Sequence, residues 1–320
     1  MALIRKVPLA AKFDFMGRRR PFLIFSGCLM LASFLIFAVQ GLNLGVDFRG
    51  GILIEIQTKE PADLSDLRRR LGGLGLGEVT LQEFGAETDV LINVRRQEGD
   101  EKAQIKAIEA VKTELGGLVE EYRRVEFVGP KVGDELKQAG ALATILALAG
   151  IGIYIWFRFE WQFAAAALVA LIHDVVSTIG FFALTQNEFN LATLAAVLTI
   201  AGYSINDTVV IFDRVRETLR KYKKLAMFDL LNLAINATLS RTVLTSVTTL
   251  LALGALFLFG GQVIRGFTAG LIWGVVIGTY SSVGLAVPLL SFMNLRGTQS
   301  GAEEEKTKKA GAADAPPENA

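Results

Sequence analysis

The stretch Ala201-Gly202-Tyr203-Ser204-Ile205-Asn206-Asp207-Thr208-Val209-Val210-Ile211-Phe212-Asp213-Arg214 closes an apolar run that begins at Leu191. It puts one carboxylate, Asp207, in the interior of a segment long enough to cross a bilayer core of about 30 Å. A carboxylate there is expensive and normally faces protein or a water-filled cavity, so a functional role is its default reading. A structural hydrogen bond between helices is the blander alternative. The run is therefore one wall of a polar interior, and an interior needs other helices to enclose it.

Five further stretches meet the same length criterion: Pro21 to Val39, Ala139 to Phe157, Trp161 to Leu184, Val243 to Phe259 and Phe267 to Leu290. The fifth span of the six could begin nearer Ala237. Composition agrees, with 52% hydrophobic and 20% charged residues in a chain of 320, and a mean hydropathy of +0.43. An ordinary soluble domain is excluded. The first span follows Arg18-Arg19-Arg20 as a signal peptide would, yet it ends in Phe37-Ala38-Val39-Gln40 without a small-x-small cleavage site and reads as an uncleaved anchor.

Lys and Arg in the short flanks set the orientation. One side collects Arg5, Lys6, Lys12, Arg18 to Arg20, Arg158, then Arg214, Arg216, Arg220, Lys221, Lys223 and Lys224, and finally Arg296, Lys306, Lys308 and Lys309. The opposite short loops, Thr185 to Asn190 and Gly260 to Gly266, hold only Arg265. Both termini are expected in the cytoplasm. The chain then divides into a cytoplasmic N-terminus (1–20), the first helix (21–39), a far-side domain (40–137), helices two to six (138–295) and a tail (296–320) whose Ala, Gly, Glu, Lys and Pro content predicts disorder.

The far-side segment reads as a small domain. Ile52 to Gln57, Val79 to Phe84, Val90 to Arg95 and Val119 to Val128 are strand-like, while Ala62 to Leu71 and Asp100 to Leu115 have helical spacing. The order βαββαβ is that of a ferredoxin-like sandwich, which carries no function by itself. Gly41 to Gly51 leads into its first strand with Gly-Leu-Asn-Leu-Gly-Val-Asp-Phe-Arg-Gly-Gly. A phosphate cradle would need a following helix N-terminus on the nucleotide side of the membrane, so close backbone packing at the membrane surface is the better reading.

The remaining chemistry lies in the spans. Arg241, in Ser240-Arg241-Thr242 at the start of the fifth, can snorkel to the headgroups or turn inward to Asp207. Thr245, one turn on, shares its helix face and offers a hydroxyl, as do Ser246, Thr248 and Thr249, for hydrogen bonds, a water path or helix packing. His173 and Asp174 lie inside the third span about 100° apart on the helix, an angle that predicts different neighbours rather than a side-by-side pair. Asp174 is expected in the polar core; His173 can shuttle protons or bond a backbone carbonyl. Asp213 and Arg214 are expected at the interface. Arg214 to Asn232 reads as a basic amphipathic segment lying on anionic membrane lipids, with docking of a cytoplasmic partner as the alternative.

Several classes are disfavoured by composition. The charge of +1 gives no basic excess for nucleic acid. One cysteine, Cys28, and one histidine leave no disulfide framework, no Cys-based metal site and a weak case for a zinc or haem centre or a Ser-His-Asp hydrolase, so neither cofactor nor metal is expected.

Taken together, Gly45-Val46-Asp47-Phe48-Arg49-Gly50-Gly51, His173-Asp174, Ser204-Ile205-Asn206-Asp207-Thr208-Val209-Val210-Ile211-Phe212-Asp213-Arg214-Val215-Arg216-Glu217 and Ser240-Arg241-Thr242 resemble the SecD/SecF family of bacterial protein-export subunits. The resemblance covers the chain to about Leu295. It marks Asp47, Arg49, Gly50, Gly51, Asn206, Asp213 and Arg214 as motif positions. It implies a six-helix membrane half of the RND superfamily that pairs with the similar half in SecD. Work with the SecYEG channel, often with YajC, on exported unfolded polypeptides at the periplasmic side of the inner membrane is implied as well. Late translocation in that family is driven by the proton motive force, and by similarity Asp207 would bind the proton, with Arg241 as charge partner and Thr245 in the path. Three functions then compete: a proton-coupled export subunit without covalent chemistry of its own, half of a small-molecule efflux transporter of the same superfamily, or a structural scaffold. The single compact far-side domain looks too small for a drug-binding porter.

Overall fold

The computed structural model describes residues 13–83, 86–99, 101–261, 264–293 and 295. The tail from Arg296, the Lys and Arg residues before Phe13, and Asp100 and Phe84 lie outside them. Among the described residues, six helices are long and apolar enough to cross a membrane. They are built from α1 (Arg19–Gln40), α5 (Pro130–Arg158), α6 (Trp161–Thr185), α7 (Leu191–Lys221), α8 (Met227–Phe259) and the rod that starts with α9 (Arg265–Ser281). Four short elements complete the helices: α2 (Val46–Arg49), α3 (Leu64–Gly72), α4 (Glu101–Leu115) and α10 (Val287–Leu290).

The long helices begin and end where local chemistry requires. Pro130 opens α5 at a position whose N–H is unused in any helix. Asn190 and Thr193 form a reciprocal capping box at the start of α7. The last rod passes from α9 into a π-turn at Ser282–Ala286 and then into α10. Pro288 explains that wide turn: it has no N–H for the carbonyl one turn back, and the extra residue relieves the clash.

Two helices run longer than their apolar stretches. At 1.5 Å per residue, the 31 residues of α7 span about 46 Å, well beyond a bilayer core. Arg214 to Lys221 therefore continue α7, and α8 starts at Met227, sixteen residues ahead of Val243. The expected amphipathic segment from Arg214 to Asn232 is thus not one surface helix: it is the end of α7, a turn at 222–226 and the first residues of α8. The apolar face that suggested a surface helix instead packs on protein, because Val215, Leu219, Leu230 and Leu231 are buried in the main helical core.

Burial ranks the helices. Within the apolar windows, 61% of α6 and 72% of the α9 rod are buried, against 11% for each of α1, α5 and α8. Helices α6, α7 and α9 thus form the centre, and the other three flank it. At Gly180 of α6 a Cβ would collide with the Ser33 side chain and lie 2.7 Å from its Cα, so α1 packs there backbone to backbone.

Between α1 and α5 stands the α+β domain. Its strands β1 (Gly51–Thr58), β2 (Val79–Glu83), β3 (Asp89–Arg95) and β4 (Val119–Val128) form one antiparallel sheet in the order β2-β3-β1-β4. This is the ferredoxin-like order expected from βαββαβ. Alternate residues Ile52, Ile54 and Ile56 pair across the ladder with Val94, Ile92 and Val90, and all six turn to one core with Leu67 and Leu71 of α3 and Val111 and Leu115 of α4. Each such burial contributes about 1.5–3 kcal/mol, and together they hold the domain without a cross-link.

Candidate functional site

Polar groups converge where α6, α7 and α9 meet. Asp174 of α6 is fully buried, and its Oδ2 accepts hydrogen bonds from Ser204 Oγ of α7 at 2.5 Å and Ser281 Oγ of α9 at 2.7 Å. Its Oδ1 lies 2.9 Å from His173 Nδ1. The two adjacent residues do form a pair, contrary to the angular expectation. Neighbouring Cα atoms are only 3.80 Å apart, and a buried imidazole folded along the helix bridges that gap. With Nδ1–H donating to Asp174, His173 Nε2 is buried beside the Tyr280 ring without a hydrogen bond.

Hydroxyls extend this seam. Thr208 Oγ1 and Ser282 Oγ are 2.8 Å apart, and Ser246 of α8 meets Thr279 of α9 at 2.7 Å. Tyr280 donates to Phe22 O at 2.7 Å and contacts Ser26 at 2.9 Å, tying in α1. Sequence reading had singled out neither Ser281, Ser282 nor Tyr280 as site residues. Their signal is a run of four hydroxyl residues, Thr279 to Ser282, inside an apolar span, which marks close helix packing as readily as a site.

Asp207 is different. It lies one turn beyond Ser204, 2% exposed, and its Oδ2 has no hydrogen-bond partner among the described residues. Arg241 is exposed on α8 and forms no ion pair with it within 4.0 Å, so the inward pairing is not made in this conformation and Arg241 acts on Asp207 only through its field. Thr245 turns its hydroxyl to the Arg241 and Thr242 carbonyls of its own helix, at 3.0 and 2.9 Å. Tyr203 Oη and Thr242 Oγ1 are further buried oxygens without partners among the described residues. Asn206 is exposed on the outward side of α7. At the far end of that helix Asp213 stands 3.7 Å from Arg158, and Arg214 bonds Glu217 at 2.5 Å.

The glycine-rich motif performs a second task at the other end of α7. Asp47 Oδ2 accepts the Leu191 N–H at 2.9 Å, placing a negative charge at the helix N-terminus, where the dipole favours it. Phe189 N donates to Asn43 O at 2.7 Å, Gly45 N to Phe189 O at 3.0 Å and Asn43 Nδ2 to Gln186 O at 3.0 Å. Phe48 stacks on Phe189 with centroids 5.9 Å apart. Residues 43–49 and the α6–α7 loop thereby form one clasp. Gly50 (φ 71°) and Gly51 (φ 147°) then turn the chain into β1 through a backbone region that side chains disfavour, and a Cβ on Gly51 would lie 2.7 Å from Val94 O. Arg49 is exposed beside a cleft of about 1020 Å³ between the domain and the membrane helices. Glu188 also borders this cleft. Burial pushes its carboxyl above its ordinary value, Asn190 and Arg49 oppose that, and the nearby Asp47 charge adds to it.

Six helices around a buried carboxylate seam, with a ferredoxin-like domain inserted after the first, define a multi-pass membrane protein with a mechanically attached extramembrane domain. The family described as protein export membrane protein SecD/SecF, C-terminal, matches residues 107–296, and the SecD/SecF GG motif matches residues 35–62. The protein translocase subunit SecF of Rickettsia bellii (strain OSU 85-389) is 48% identical over 291 residues, 90% of this chain and 95% of that protein. That of Rickettsia rickettsii (strain Sheila Smith) is 47% identical over 295 residues, 91% and 95% of the two chains. The crystal structure of SecDF, a translocon-associated membrane protein from Thermus thermophilus, superimposes with a TM-score of 0.79 at 32% identity, covering 89% of this chain and 39% of that one. A structure of SecDF in a super-membrane-facing form gives 0.65 at 32% identity, covering 92% and 40%. The chain therefore belongs to the SecD/SecF family of protein-export membrane proteins. It spans about two fifths of the SecDF polypeptides it matches.

Proposed function

We propose that this protein pairs with SecD and, next to the SecYEG channel, uses the proton motive force to drive the late, periplasmic-side movement of exported polypeptides. In this reading it sits in the bacterial inner membrane with both termini in the cytoplasm and performs no covalent chemistry. The observation that carries the reading is the contrast between the two buried carboxylates. Asp174 has three polar neighbours within 2.9 Å, whereas Asp207 Oδ2 has none.

A buried carboxylate oxygen without a donor is unfavourable as an anion. Proton uptake gives Asp207 a donor of its own and removes the charge that Arg241 senses. The balance between alternative arrangements of α7 and α8 shifts accordingly. Since the start of α7 is clasped to residues 43–49, which run into β1, displacement of the helix is delivered to the periplasmic domain. One charge crossing 100 mV supplies about 2.3 kcal/mol, enough for a few protons to bias the motion of an emerging chain.

The test is precursor translocation into inverted membrane vesicles holding this protein and SecD, with and without a proton gradient, for wild type and Asp207→Asn at matched complex levels. Loss of the gradient-dependent increment in the mutant is expected. If the increment survives, Asp207 only holds helices together and the coupling group lies elsewhere.

A further inference from the structure

The cytoplasmic-end cleft between the close of α5 and the last turns of α7 has a charge surplus that the described residues do not answer. Asp213, Arg216, Glu217 and Arg220 recur at positions i, i+3, i+4 and i+7 of α7, and with Arg158 and Lys221 they line a cleft of about 610 Å³. Glu217 is engaged by Arg214 at 2.5 Å. Asp213, 3.7 Å from Arg158, is then the one lining carboxylate left to four lining cations.

Two of those cations are held in place. The guanidinium carbons of Arg158 and Arg216 lie over the same ring, Phe159, at 5.1 and 5.3 Å from its centroid. That ring is 6% exposed and is fixed against Phe163 and Phe212. Arg216 Nη1 donates to Arg158 O at 3.2 Å, while its Nε is buried with no hydrogen-bond partner among the described residues. Like charges converging on one apolar ring repel, and an anion between them removes the repulsion. Planar guanidinium forks suit a phosphate better than a point charge would.

The surroundings say which phosphate. Ile153, Trp156 and Phe157, at i, i+3 and i+4 of α5, are 64%, 64% and 94% exposed, and Trp161 at the start of α6 is 59% exposed. This strip ends at Phe157, the residue before Arg158, with the Trp residues at the depth where amphipathic rings mark the membrane boundary. We infer that the Arg158–Arg216 cleft binds the phosphodiester headgroup of one anionic glycerophospholipid, whose acyl chains lie along the Ile153–Trp156–Phe157 strip. The assignment is independent of any proton role for Asp207.

Native mass spectrometry of the full-length protein as purified in detergent tests it, with phosphatidylglycerol, phosphatidylcholine and inorganic phosphate as probes. Wild type is expected to retain one phosphatidylglycerol at concentrations where phosphatidylcholine is not retained. Arg158→Gln/Arg216→Gln should weaken that adduct at least fivefold, and the charge-matched control Arg20→Gln/Lys224→Gln should change it less than twofold. Equal retention of the two lipids overturns the site, as does equal loss in both double variants, which would indicate diffuse attraction. Displacement by millimolar inorganic phosphate would show a free-anion site and overturn the lipid assignment. Should the Gln pair fail to fold, Arg158→Lys/Arg216→Lys keeps the charge without the fork: weaker phosphatidylglycerol retention supports the proposal, and unchanged retention overturns it.

Discussion

Asp174 and Asp207 are both buried carboxylates of the same helical bundle, yet they should respond to substitution in opposite ways. Asp174 joins three helices through Ser204, Ser281 and His173. Asp174→Ala leaves two buried serine hydroxyls short of their acceptor, at about 1–3 kcal/mol for a buried group left unpaired. The lower end is expected, because Ser281 also reaches Gly278 O at 3.2 Å. Asp207→Asn removes no hydrogen bond from Oδ2 and should leave stability within about 0.5 kcal/mol of wild type. Thermal unfolding of the two variants in detergent checks the pair; an Asp174→Ala protein as stable as wild type would mean that the three-helix junction holds nothing.

At the level of elements, the bundle depends on close approach at small residues, since lipid provides no hydrophobic drive between helices. Two glycines separate this effect from helix propensity. Gly180 faces the Ser33 backbone, whereas Gly202 has nothing within 4 Å of where its Cβ would be. Gly180→Ala must push α1 away from α6 and should lower stability by about 1–3 kcal/mol, the usual result of overpacking. Gly202→Ala meets no obstacle and should be neutral or stabilising by about 0.5–1 kcal/mol. Equal melting temperatures for the two would refute tight α1–α6 contact. The same logic explains why the Arg214–Asn232 segment misled: its amphipathic spacing is genuine, but Val215, Leu219, Leu230 and Leu231 pack on protein rather than on lipid.

For the whole molecule, the clasp decides whether the domain follows the membrane helices. Residues 43–49 and 186–191 share backbone and side-chain hydrogen bonds and a stacked Phe pair. Asn43→Cys/Gln186→Cys, in a Cys28→Ser background, lets a disulfide lock it. Gradient-dependent translocation is expected to persist under oxidising conditions, because transmission requires the clasp to stay closed. Loss of the increment on oxidation and its return with reductant would show that the clasp opens in each cycle, and rigid transmission through it would be wrong.

Hydropathy, strand alternation and charge asymmetry are properties of neighbouring residues, so the sequence alone determined six spans, the βαββαβ order of the domain and Asp207 as an intramembrane carboxylate. The ends of α7 and α8 were hidden because helices continue past the apolar run once packing, rather than lipid, covers their next turns. Which carboxylate is bonded and which is left alone depends on residues as distant as Asp174 and Ser281, 107 positions apart, and no local pattern encodes that meeting. The glycine motif likewise showed its need for close backbone packing, but its fastening to the start of α7 appears only when Asp47 and Leu191, 144 positions apart, come within 2.9 Å. Tertiary structure decided both, because a hydrogen bond is fixed by which helix faces meet in space, and those faces are chosen by the packing of the whole bundle.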